Sequence, residues 1–459
     1  MPKQEDKYIK DNIMGSNKKI HDVIGVGLGP FNLSLAVAIQ EEIETKNEII
    51  EALFLERKRE FNWHPDMMIE DTTMQVAFLK DLITMKNPKS KFTFLNYLSE
   101  KDRLSSFVNL RDFYPTRMEF TDYYNWAANQ VRHQLKFGKE VISVTPQKNQ
   151  ANQVEILKLT VRDISTDRLE EYWTYNLVVA TGSIPWSPVG NIQGRNVFHT
   201  ADFLKYIKEY PEAEKEYKFV VVGSGQSAAE VVQYLLKNYK NAEITATMRQ
   251  FAYRPIDASE FVNELYDPNA IDFFYNLPLD KRSELLKTYR HTNYASIDSE
   301  IISSIYKIVY SEKVIGKYRM NFKSFTELHG VEVQENGVIV KLNNLIDGTT
   351  ASLVADAIIL ATGYYRNPDI PILDKLKEYF VKDDDGKNKI NRDYSYVTSP
   401  QMLPGIFIQG FCEETHGVSD TNLSNASHRA ADILNSILLK RSKYGYNYID
   451  FTNLLQVGD

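Results

Sequence analysis

A single cysteine, Cys412, stands among 459 residues. One thiol can form no intramolecular disulfide, no redox dithiol pair and no cysteine-based zinc site. No metal site is expected from any other motif. No apolar run approaches the roughly 18–20 residues that a bilayer-crossing helix needs. The first twenty residues are polar and lysine-rich and lack the apolar core of a secretory signal; residues 1–19 are expected to be a disordered tail. An excess of positive charge is also missing. With 54 basic against 61 acidic residues the formal charge is −7, which gives no reason to expect nucleic acid or an anionic membrane as partner. What is left, 43% hydrophobic and 25% charged, is the balance of an ordinary globular chain. Its length suits about three domains, and a cytoplasmic enzyme is the default.

The stretch His21-Asp22-Val23-Ile24-Gly25-Val26-Gly27-Leu28-Gly29-Pro30-Phe31-Asn32 reads as a buried strand, a glycine turn and a helix starting near Asn32. Backbone N–H groups and the helix dipole at such a turn favour a pyrophosphate. Gly25 is expected to permit the tight turn and Gly27 to let phosphates approach. The third position of the usual G-x-G-x-x-G pattern then falls on Pro30, so the pattern is incomplete. Helical spacing continues over residues 32–44, and residues 50–55 read as a buried strand. That strand ends in Glu56, where a carboxylate can accept both hydroxyls of an adenosine ribose. The bland alternative is half of a solvated pair with Arg57.

A second turn, Gly223-Ser224-Gly225-Gln226-Ser227-Ala228, follows the apolar run Phe219-Val220-Val221-Val222. The strand after its helix, residues 242–248, ends in Arg249, which suits a 2′-phosphate rather than a free ribose hydroxyl. Two apolar strands end in the same small residues, Ala180-Thr181-Gly182 and Ala361-Thr362-Gly363, as paired nucleotide folds would. The fold class is therefore α/β, with two Rossmann-like dinucleotide-binding domains. FAD at the first and NADPH at the second form the natural hydride-exchanging pair.

Residues 61–130 hold many aromatic and basic residues, among them Trp63, His64 and Arg117. Lys80 lies in Val76-Ala77-Phe78-Leu79-Lys80-Asp81-Leu82 on an expected helix, either snorkelling or presented into a pocket. Residues 250–315 form a polar, aromatic, helix-rich insertion of the kind that supplies a substrate pocket. A last helix is expected over residues 425–439. His416, ahead of it, reads by itself as a satisfied turn histidine.

Several segments together resemble the flavin-dependent N-hydroxylating monooxygenases, the ornithine and lysine N-monooxygenases of siderophore biosynthesis. They are Gly27-Leu28-Gly29-Pro30-Phe31-Asn32-Leu33, Met74-Gln75, Phe78-Leu79-Lys80-Asp81-Leu82, Phe94-Leu95-Asn96-Tyr97-Leu98 and Phe261-Val262-Asn263-Glu264. Thr292-Asn293-Tyr294, Ala361-Thr362-Gly363-Tyr364 and His416-Gly417-Val418-Ser419-Asp420 complete the set. The resemblance spans nearly the whole chain from His21 to Leu439. It implies an FAD domain (20–205 and 345–445), an inserted NADPH domain (206–255 and 312–344) and a small helical substrate-binding region (256–311), assembled as a homotetramer. It implies reduction of FAD by NADPH, reaction with O2 to a C4a-hydroperoxyflavin, and oxygen transfer to a primary amine.

Position by position, the resemblance implies that Lys80 pairs with the carboxylate of an amino-acid substrate and Asn263 bonds its α-amino end. Asn293 would sit between substrate and nicotinamide, Ser424 near the substrate amine, and Gln75 beside the flavin ring; Gln75 and Asn293 are the expected catalytic positions. The flavin side would take Gly25, Gly27, Gly29, Pro30, Glu56, Trp63, His64, His416 and Asp420. NADPH would take Gly223, Gly225, Gln226, Ser227 and Arg249. After Asp420 this chain reads Thr421-Asn422-Leu423-Ser424, where many ornithine enzymes have two leucines before the serine. Relatives act on ornithine, lysine, diamines or histamine; Lys80 favours ornithine, because a decarboxylated amine gives it no charge to bind. A sulfur-oxidising or Baeyer–Villiger flavin monooxygenase shares the paired folds but has no need of Lys80 with Asn263 and Asn293. A disulfide oxidoreductase needs a second cysteine, and a nucleotide-binding regulator would not need two dinucleotides.

Overall fold

The computed structural model describes residues 19–190 and 193–444; the tail expected over 1–19 lies outside them except for Lys19. The frame is two five-stranded parallel sheets. The first runs Gly405–Ile408, Asn176–Val179, Val23–Val26, Ala52–Glu56, Leu135–Phe137. The second runs Val197–His199, Ala357–Leu360, Lys218–Val222, Glu243–Thr247, Met320–Lys323. Val23–Val26 and Ala357–Leu360 are buried throughout, as strands of a parallel sheet covered on both faces must be.

The two sheets repeat one plan. The strand before each glycine turn lies third in its sheet. On one side it pairs with the strand that leads to Glu56 or Arg249, and on the other with the strand that ends in Ala-Thr-Gly. Three antiparallel strands precede each Ala-Thr-Gly strand. They are Lys139–Lys148, Val154–Asp163 and Leu169–Thr174 in the first fold. Thr326–Gln334, Gly337–Asn344 and Thr350–Ala355 take their place in the second. Ile184–Pro185 and Tyr364–Tyr365 pair antiparallel where the chain crosses between the folds.

The second sheet reaches past the segments 206–255 and 312–344. Val197–His199 and Ala357–Leu360 were expected within the first domain's ranges, yet both pair in the second sheet. The reason is the repeat itself: each Ala-Thr-Gly strand bonds to the glycine-turn strand of its own fold. Residues 256–311 carry the helices Glu260–Asn263, Pro268–Tyr275 and Leu279–Tyr289 and most of Ser299–Val314. The helix Pro30–Lys46 packs against the helix Ala426–Tyr444 and also touches the helix Arg117–Gln130 and the strand Ala52–Glu56, and Leu33, Leu35, Val37 and Ile39, which point to two sides of it, are fully buried. No helix among the described residues is long and apolar enough to cross a membrane.

Candidate active site

The glycine turns are built alike, and their geometry corrects the expected register. Gly27 has φ +83°, and a Cβ there would lie 2.5 Å from the Ala180 carbonyl oxygen. Gly223 has φ +135°, and its Cβ would run into the Ala361 carbonyl. Gly27 and Gly223 therefore make the two tight turns, against the Ala-Thr-Gly segment of their own folds. Gly29 and Gly225 follow as helix N-caps with nearly identical backbone (φ −92°, ψ −175° and φ −98°, ψ −177°). A Cβ on Gly29 would meet nothing within 4 Å, so this glycine, not Gly27, leaves the open seat for a phosphate. Gly25 lies inside the strand, where its missing Cβ makes room for the Phe54 ring. The fingerprint is thus Gly27-x-Gly29-x-x-Asn32. Pro30 is not its third position but the first residue of the helix, where a missing N–H costs nothing.

Asn32, fully buried, donates from Nδ2 to the Gly27 carbonyl at 2.6 Å and accepts from Gln409 Nε2 at 2.8 Å. Glu56 stands at the strand tip beside this turn, its Oε2 accepting from Leu28 N at 2.7 Å and its Oε1 from Lys58 N at 2.8 Å. An open N-cap glycine with an acid at the neighbouring strand tip fits an adenine dinucleotide with a free ribose. At the second turn Arg249 is exposed and lines a cleft of about 1180 Å³ together with Gly223, Ser224 and Gly225. That fits a dinucleotide with a 2′-phosphate.

Next to this cleft is a smaller cavity of about 320 Å³. It brings together Gln75, Lys80, Asn263, Asn293 and Ser424 with Gln226 and Ser227 of the second turn. Lys80 does not stand on a helix. Residues 76–82 form turns because buried Asp81 accepts the N–H groups of Ile83, Thr84 and Phe94 at 2.9, 2.6 and 2.7 Å. A carboxylate that gathers backbone donors in this way replaces the helical ladder. Asn263 Nδ2 donates to the Ala258 carbonyl at 2.9 Å, which leaves its Oδ1 for an incoming donor. Asn293 Nδ2 donates to Thr421 Oγ1 at 2.9 Å, and the Tyr294 hydroxyl meets the same oxygen at 2.9 Å. Asn422, the departure from the family pattern, lines the cavity and accepts from the Ser424 hydroxyl at 2.8 Å.

The remaining expected residues are placed differently. His64 lines the large cleft; the surrounding chain, then Arg117 and Lys58, push its imidazole down to about 4. Trp63 packs edge-on against Tyr124 at 5.6 Å. His416 is buried: Thr415 Oγ1 meets its Nδ1 at 2.8 Å and the Arg392 carbonyl its Nε2 at 3.1 Å. Asp420 accepts from Cys412 N at 2.7 Å and faces fully buried Arg429 at 3.4 Å. The Arg429 guanidinium lies 4.4 Å over the Phe31 ring. His416 and Asp420, expected at the flavin, are both engaged inside the protein: His416 stacks on Tyr394 at 4.2 Å, and Asp420 backs Phe31, next to the first turn, through Arg429. Asp81, Asn32, Gln409 and Thr421 hold the site residues, and no spacing rule singles them out; only Asn32, in the place of the third glycine, left a readable signal.

Two nucleotide folds with matching glycine turns, a shared cleft and a small polar cavity define the class of two-dinucleotide oxidoreductases. Residues 19–366 match the family described as L-lysine 6-monooxygenase/L-ornithine 5-monooxygenase. An L-ornithine N(5)-monooxygenase of Pseudomonas aeruginosa is 36% identical over 91% of this chain and 94% of its own. The ornithine N-hydroxylase of Kutzneria sp. 744, solved with reduced FAD, NADP+ and L-orn, is 33% identical with a TM-score of 0.87, covering 92% of this chain and 100% of that one. A cadaverine monooxygenase from Erwinia amylovora, solved bound to FAD, is 28% identical with a TM-score of 0.81 over 92% of this chain and 95% of that one. The chain belongs to the L-lysine 6-monooxygenase/L-ornithine 5-monooxygenase family.

Proposed function

We propose that this protein is an FAD- and NADPH-dependent N-monooxygenase that hydroxylates the terminal amine of L-ornithine, giving a hydroxamate precursor for siderophore biosynthesis. It works as a cytoplasmic homotetramer. The observation that carries the reading is the meeting of Lys80, Asn263 and Asn293 in one cavity with Gln226 and Ser227 of the second glycine turn.

The first fold binds FAD, through Gly27, Gly29 and Glu56, and the second binds NADPH, with Arg249 at the 2′-phosphate. Bound FAD, once reduced, supplies the means of activating O2. The chain's own part is placement. Lys80 pairs with the α-carboxylate and Asn263 Oδ1 accepts from the α-ammonium, so the amino acid is held by its head and its far amine reaches inward. Asn293, tied down by Thr421, separates substrate from nicotinamide, and Gln75 lies on the flavin side. The cavity keeps water from the reacting oxygen. The far amine must react as the free base, because an ammonium has no lone pair to offer.

A hydroxylamine-product assay across ornithine, lysine, putrescine, cadaverine and histamine tests the substrate. Ornithine is expected to give product at the lowest concentration. Product from a diamine or histamine, with only peroxide from ornithine, would remove the role given to Lys80.

A further inference from the structure

Beside the second glycine turn a line of polar side chains joins the two folds, and three of its members, Asp298, Glu230 and Arg117, take no part in the proposed binding of substrate or cofactor. Asp298 is the N-cap residue of the helix Ser299–Val314. Its backbone N–H donates to Gln226 Oε1 at 2.9 Å, and its Oδ2 accepts from Gln226 Nε2 at 3.1 Å. The same Nε2 reaches Glu230 Oε1 at 2.9 Å. A donor on one side and two carboxylates on the other fix the Gln226 amide in one orientation. Gln226 is itself the first residue of the helix that follows the second glycine turn.

From the first fold, Gln75 lines the same cavity as Gln226 and favours the charged form of the Asp298 carboxylate against the burial that raises its pKa. Glu230, buried to 1% exposure, is gripped by Arg117 of the helix Arg117–Gln130 through two bonds of 2.8 and 2.5 Å. The line therefore passes from the first fold through Gln75 and Asp298 to Gln226, and returns to the first fold through Glu230 and Arg117.

We propose that Asp298 is a positioning residue whose carboxylate holds Gln75 and Gln226 at one fixed separation, locking the flavin side of the site to the NADPH side. This rests on the assignment of FAD to the first fold and NADPH to the second. An ionised carboxylate accepts only, so it can take an N–H from two amides at once. An asparagine in its place turns an N–H of its own toward one of them.

The test uses the full-length, FAD-loaded enzyme with Asp298→Asn and, as the conservative variant, Asp298→Glu. Anaerobic reduction of the flavin by NADPH is followed first, because it requires no amine turnover. Asp298→Asn is expected to raise the Kd for NADPH by about tenfold, the scale of one hydrogen bond to a charged group. Asp298→Glu recovers part of that loss. Hydroxylamine formed per NADPH consumed falls in Asp298→Asn, while the KM for ornithine and the melting temperature stay at the wild-type values. In the Gln226→Leu background, Asp298→Asn adds nothing further to the Kd, because the shared bond is already gone.

An unchanged Kd with unchanged product yield would overturn the proposal. So would additive losses in the double variant, which would place Asp298 outside the line. A wild-type flavin that NADPH cannot reduce would instead remove the assignment of the two folds.

Discussion

Lys80 meets the cavity from a loop, and the residue that makes the loop is its neighbour. Asp81, 3% exposed, ties down three backbone N–H groups and the Thr84 hydroxyl, so the lysine starts from a fixed backbone and needs little ordering to meet a carboxylate. The apolar flanks of Lys80 look helical in sequence; what breaks the helix is a side-chain bond that reaches thirteen residues ahead to Phe94, and local spacing carries no trace of it. In its given role Lys80 binds substrate and does not touch the flavin. Lys80→Ala should raise the KM for ornithine by about tenfold or more, the scale of one charge-assisted bond, and leave the rate of flavin reduction by NADPH almost unchanged. Steady-state kinetics with stopped-flow reduction checks this; equal loss of both would place Lys80 at the cofactor.

Among the structural elements the two glycine turns matter most, and each is built against the Ala-Thr-Gly segment of its own fold. Alanine at Gly27 or Gly223 must adopt a left-handed backbone, at about 1–2 kcal/mol, and must also push against the carbonyl of Ala180 or Ala361. Gly27→Ala should lose its flavin on purification. Gly223→Ala should keep the yellow holoenzyme but be reduced by NADPH far more slowly. Absorbance at the flavin band and anaerobic reduction separate the two, and a colourless Gly223→Ala would contradict the division. The strands of both sheets could be read from sequence because buried parallel strands are continuous apolar runs. The register of the first turn could not be read, since Gly25-x-Gly27-x-x-Pro30 and Gly27-x-Gly29-x-x-Asn32 both fit the template. Only the positive φ of Gly27 and its contact with Ala180 decide between them. His416 stood open between a turn histidine and a flavin contact for a similar reason: its partners, Thr415 and the Arg392 carbonyl, are settled by packing.

For the molecule as a whole, two folds of one plan are joined by more than the chain. The rings of Trp63, His64, Tyr364 and His199 follow one another edge to face at 5.3, 5.9 and 5.2 Å, from the first fold into the second. Arg117 and Glu230 bridge the folds at a buried position. Burial holds His21, His64 and His416 neutral in the folded state, each pushed down to about 4. The unfolded chain takes up these protons first as the pH falls, so the stabilisation is whole above about pH 6.5 and is lost between about 6.5 and 4. Each such group adds a slope of about 1.4 kcal/mol per pH unit within that window. Urea midpoints of the holoenzyme from pH 7 to 4.5 should fall less steeply for His416→Gln than for the wild type; parallel curves would contradict the burial argument.

That the two folds and the polar cavity act together as an amine N-monooxygenase is open to direct measurement. The most direct test is the stoichiometry of N5-hydroxyornithine formed against NADPH and O2 consumed by the FAD-loaded protein. Close to one hydroxylated amine is expected for each NADPH and O2. Consumption of NADPH that yields only hydrogen peroxide, whichever amine of the panel is supplied, would contradict it.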